Sequence, residues 1–147
     1  MKKILLGLTI AVFVLMACTP SMDGPVSSDE PSTLPPSDNI PSPDDSNLTR
    51  GEVFLDSTEL LIMESFPLQF MLVLKGSLPT PCHRLRVAVS PPDAQNKIVV
   101  DVYSVVDPNT ICAQVLEPFE ENFPLGSFPT GHYTLWVNGE QIAEFDS

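Results

Sequence analysis

The stretch HYTLWVNGEQIAEF, residues 132–145, decides the fold class. Its first half alternates: Tyr133, Leu135 and Val137 fall on one parity, His132, Thr134 and Trp136 on the other. Strand side chains alternate between the two faces of a sheet, so the first set is expected to face a core and the second to face outward. Between this run and the next, EQIAEF, stands Asn138-Gly139. Both central positions of a type I′ turn need positive φ, which Asn and Gly tolerate best, so the pair predicts a two-residue hairpin.

Outward from this hairpin the same period of two recurs. Strands are expected at 52–56, 60–65, 67–75, 84–90, 97–105 and 112–118, followed by 132–138 and 140–145. In LQFMLVL, Leu68, Phe70, Leu72 and Leu74 share a parity; in RLRVAVS, Leu85, Val87 and Val89 do. Short strands broken by Pro, Gly and Asn, with no helical period, predict an all-β sandwich of seven or eight antiparallel strands over residues 48–147.

Just upstream of the hairpin, LGSFPTGHYTLWV resembles the tyrosine corner of immunoglobulin and fibronectin type III sandwiches. The resemblance implies that Tyr133 opens the penultimate strand and bonds back to the backbone of the preceding turn. Antibody domains carry a cysteine two residues after that tyrosine; here the position is Leu135, so their inter-sheet disulfide is absent. PTGHYTLW also resembles a loop of chagasin-like cysteine-protease inhibitors. His132 interrupts that family's Gly-aromatic pair, however, and Trp136 stands three residues after Tyr133 rather than two.

The chain has three cysteines, an odd number. Lys2 and Lys3 precede an apolar run from Ile4 to Met16, the layout of a secretory signal. Its ending, LMAC, resembles the lipobox of bacterial lipoproteins, which implies cleavage after residue 17 and acylation of Cys18. Residues 4–17 as a helix would reach only about 21 Å, short of a hydrocarbon core of roughly 30 Å. Cys82 and Cys112 remain and are expected to pair in an oxidising compartment. Their bridge would close a loop of about 30 residues, worth roughly 3.6 kcal/mol in the chain-entropy treatment. The rival reading is a thiol nucleophile served by His83, but adjacent strand residues point to opposite faces.

Residues 18–47 read as an acidic tether following the lipidated cysteine. From Thr19 to Asn47 the chain carries seven prolines, seven serines and six acidic residues, with no lysine, arginine or aromatic. Such a stretch cannot bury enough apolar surface to offset its ordering entropy, and disorder is expected. Its reach would be about 30 Å as a coil and about 90 Å as polyproline II.

Beyond the signal, five basic residues face nineteen acidic ones, a charge of −14. Nucleic acid and anionic headgroups are repelled by such a chain. No hydrolase elbow, zinc-protease, phosphate-loop, dinucleotide or CxxC motif is present. His83 and His132 read as surface histidines, and Glu117, Glu120 and Glu121 as a solvated acidic edge; no cofactor or metal is expected. The expected function is a non-enzymatic binding or adhesion module of the bacterial cell envelope. It would be anchored to the membrane by lipid and directed at a protein or glycan. The candidate contact face is His132, Thr134 and Trp136, joined by Tyr103. An inhibitor or accessory subunit is the first alternative and a small hydrolase the second.

Overall fold

A computed structural model describes residues 38–147; the expected signal peptide, Cys18 and the expected tether as far as residue 37 lie outside the described residues. Among the described residues eight strands form two sheets facing each other as a β-sandwich. The first sheet contains β1 (Thr49–Gly51), β4 (Arg84–Val89), β5 (Lys97–Val106), β7 (His132–Val137) and β8 (Glu140–Asp146). The second runs β2 (Phe54–Met63), β3 (Gln69–Leu78), β6 (Glu117–Gly126).

The core lies where the expected parities meet, except at the end of β4, where Val89 is exposed. Phe70, Leu72 and Leu74 of β3 are fully buried, as are Val100 of β5 and Leu135 of β7, and Val87 and Val137 are nearly so. Phe145 closes one end, its ring 4.5 Å from Phe70 and stacked on Tyr133 at 5.5 Å. Tyr133 is buried, and its hydroxyl donates to the Pro129 carbonyl at 2.8 Å. The corner therefore forms as the resemblance implies.

Three local differences from the sequence reading have physical causes. The runs at 52–56 and 60–65 are one strand, β2, bent by a bulge between Leu55 and Ser57. Gly76 opposes that bulge: a Cβ there would stand 2.2 Å from the Phe54 carbonyl oxygen, so the crossing admits only glycine. The strand expected at 112–118 lies instead at Glu117–Gly126. It contains Pro118 and Pro124, which a strand tolerates at a sheet edge, and β6 pairs only with β3. Finally, β5 and β7 pair in parallel, Ile98 opposite Leu135, so the sandwich is not wholly antiparallel.

The tether also ends differently. Residues Pro43–Asn47, assigned above to the tether, form a 3-10 turn capped by Ser42. The Val87 amide donates to the Asn39 carbonyl, so this segment covers part of the β4 edge. Asp45 then receives a fork from Arg86, Nε to Oδ2 at 2.7 Å and Nη2 to Oδ1 at 2.8 Å. Both side chains are nearly buried, 12% and 7% exposed respectively. A polar segment is ordered here because a buried guanidinium needs an acceptor.

Cys82 and Cys112 are joined by a disulfide with a Cα–Cα distance of 6.0 Å. It staples the β3–β4 connection to the long β5–β6 loop.

Candidate functional site

The outward face of the five-stranded sheet carries the candidate residues. On β7, His132, Thr134 and Trp136 alternate with the buried Tyr133, Leu135 and Val137. On β5 the outward set is Lys97, Val99, Asp101 and Tyr103, with Val105 on the same parity but covered at 2% exposed, because Ile98, Val100 and Val102 enter the core. Trp136 stands opposite Val99 in register, and Tyr103 lies four residues farther along β5. At about 3.3 Å per residue that separates the two aromatics by roughly 13 Å along the strand. They share a face without touching.

Each candidate side chain is held by a neighbour. The Lys97 ammonium lies 4.0 Å from the centre of the Trp136 ring, and the indole N–H donates to Thr134 Oγ1 at 3.3 Å. The Arg50 guanidinium lies 3.8 Å from the centre of the Tyr103 ring while its Nη2 donates to both Asp101 oxygens, at 2.8 and 2.7 Å. Each cation–π contact is worth about 0.5–1 kcal/mol at an exposed site. His132 is engaged on the other margin: its Nδ1 lies 2.9 Å from Asp146 and its Nε2 4.0 Å from Glu144. The face is thus preorganised, with long side chains already restrained.

Between the two aromatics the sheet is interrupted. β1 covers β5 at Ser104–Val106 and β7 covers it at Lys97–Val100, leaving Asp101–Tyr103 without a strand on that side. Asn138 fills the gap with its side-chain amide. Its Oδ1 accepts from the Val102 amide at 2.7 Å and its Nδ2 donates to the Val102 carbonyl at 2.9 Å. The same residue takes φ 48° and Gly139 φ 89°, as a type I′ turn requires. An open groove of about 780 Å³ follows the interruption, lined among others by Arg50, Val99, Asp101, Tyr103 and Asn138. Val99, in its middle, is 38% exposed.

Sequence reasoning does not identify Arg50, Arg84, Arg86, Lys97 or Val99 as part of this face. The signal was available: Arg84 and Arg86 alternate with Leu85 and Val87 just as Trp136 alternates with Leu135. Global charge concealed it, because a chain of net charge −12 invites no search for cations on a sheet face. The other singled-out residues lie elsewhere. His83 bonds Thr80, Nδ1 to Oγ1 at 2.8 Å, while Cys82 is committed to the disulfide. Glu117, Glu120 and Glu121 lie along the β6 edge, Glu120 paired with Lys75.

A family model described as the ORF11 beta-sandwich domain matches residues 72–147, just over half of the chain. The chain belongs to this family. The matched span runs from within β3 to the C-terminal residue. It therefore contains both disulfide cysteines, the tyrosine corner, Asn138 and the outward row of β7. No curated protein and no solved structure matches the chain. Membership in the ORF11 beta-sandwich domain family agrees with the two-sheet architecture and carries no activity with it.

Proposed function

We propose that this ORF11 beta-sandwich protein is a lipid-anchored component of a bacterial envelope, displayed on the extracytoplasmic side, whose domain binds a partner without catalysing a reaction. The observation that carries the binding reading is the outward face itself. It presents Trp136 and Tyr103 on an open sheet, with exposed Val99 between them and a groove alongside. Aromatic residues dominate binding energy at contact sites, and a restrained surface loses less entropy on association than a mobile one.

The anchor reading is supported by LMAC after a charged start and an apolar run. Two or more acyl chains on Cys18 would hold firmly, since each buried methylene contributes about 0.8 kcal/mol. Fractionation with mass spectrometry of the N-terminus tests it. The mature protein is expected in the membrane fraction, beginning at an acylated Cys18, and Cys18→Ser is expected to stay unprocessed or become soluble. An unmodified N-terminus at any other residue would end the anchored reading. A capture from the native envelope tests the binding half, with Val99→Glu as the variant that places a charge in the centre of the face. Loss of the captured partner with an unchanged melting temperature is the expected result.

A further inference from the structure

We infer that an uncharged run of this chain's own tether, TLPP at residues 33–36, occupies an apolar groove between the margins of the two sheets and straps the tether to the domain. The groove lies where two edge strands come together: β4 pairs only with β5, and β6 only with β3. Its volume is about 470 Å³. Val87 and Val89 of β4, Phe123 and Leu125 of β6, and Ile40 and Pro41 from the segment before β1 line it. Every residue lining it is apolar, yet Ile40 and Val89 are exposed. On so acidic a chain, such a surface selects an uncharged apolar occupant.

The chain itself supplies that occupant at the groove's margin. Asp38 and Asn39 form a turn, the Asn39 carbonyl accepts from the Val87 amide, and Ile40 and Pro41 already line the groove. The residues preceding Asp38 therefore start beside it. Within residues 27–37, TLPP is the only run of more than one residue without serine or acid, and Leu34 is the only large aliphatic side chain. Four residues of extended chain reach about 12 Å, enough to bring Leu34 from Asp38 across the groove.

The chemistry of the run suits the site. Leu34 and Pro35 each precede a proline, which biases both toward extended backbone, so little conformational freedom is lost on docking. Proline-rich segments dock in this way against grooves that carry aromatic side chains, here Phe123. The backbone agrees. Ser90 donates its amide across to Val99 of β5, whereas Val87 donates outward to Asn39, so the Val89 amide also faces the outer margin. It has no acceptor among the described residues; a proline carbonyl would supply one, with no N–H of its own to leave unpaired. Because the run is tethered, docking is intramolecular, and even a weak contact is well populated. The domain already orders Pro43–Asn47 of the same polar stretch. With the strap in place, only residues 19–32 span freely from Cys18, a reach of about 20 Å as a coil.

The test uses the mature protein in nanodiscs of neutral lipid, free of detergent that would compete for the groove, with isotope-labelled methyl groups. Magnetisation transfer is expected between the Leu34 methyls and those of Val89 and Leu125. Leu34→Asp should speed amide exchange at Val89 at least threefold and Leu34→Met by less. Val26→Asp, elsewhere in the tether, should leave that rate unchanged. Leu34 methyls without these contacts would overturn the inference, as would a Val89 rate indifferent to Leu34→Asp or equally raised by Val26→Asp. Contacts found only between differently labelled copies would give the groove to a second molecule and overturn it too. A protein found without lipid is measured in solution, so the anchored reading can fail while the strap stands.

Discussion

Asn138 shows how much one residue can carry. Its backbone turns the hairpin and its side chain stands in for a missing strand against Val102. Asn138→Gly keeps the turn but leaves the Val102 amide and carbonyl without that partner, at a cost of about 1–3 kcal/mol. Asn138→Ala should cost more, since alanine at positive φ adds about 1 kcal/mol or somewhat more. Denaturant titration of both variants checks the order; a Gly variant as stable as wild type would deny the side chain its role. Asp45 is the other decisive residue. Hydrogen bonds from Arg86, then from the Ser42 amide, hold its carboxyl down from 3.8 to about 2. A depressed folded-state value means the folded protein prefers the ionised form, so the contribution is complete above about pH 4 and is lost as pH falls through about 2. Asp45→Asn is expected to flatten the fall of melting temperature over that range. An unchanged acid limb would show that the Arg86 pair is not what the acid breaks.

At the scale of elements, the disulfide ties the β3–β4 connection to the β5–β6 loop, 30 residues apart in sequence. Replacing Cys82 and Cys112 together by alanine should lower stability by about 2–4 kcal/mol, read as a shift in denaturation midpoint. Free-thiol titration of the folded, unreduced protein should find neither cysteine reactive. The elements also show what was legible in the sequence and what was not. The β7–β8 hairpin was, because alternation and Asn138-Gly139 are local signals. The back-bond of Tyr133 was implied by the resemblance to a tyrosine corner, which did not name its acceptor, Pro129. The single strand β2 was not: its bulge depends on Gly76 across the sheet, a contact between distant residues. Nor was the end of the tether, since Pro43–Asn47 is polar by composition and ordered only because Arg86 awaits it. The partners of Trp136 and Tyr103 escaped likewise. Lys97 and Arg50 reach these rings through strand pairings that sequence alone does not specify.

For the whole molecule, the sandwich sets four of its five described basic residues and its outward aromatics on one sheet, with Lys75 on the other. The other sheet carries the acidic β6 edge. The central claim is that this five-stranded face is where the domain meets its partner. The most direct measurement is the affinity of the partner captured from the envelope for wild type and for Trp136→Ala. Trp136 lies outside the core cluster, so the variant should melt with the wild type. A loss of at least tenfold, about 1.4 kcal/mol, is the expected result. Unchanged affinity with the fold intact would contradict the claim.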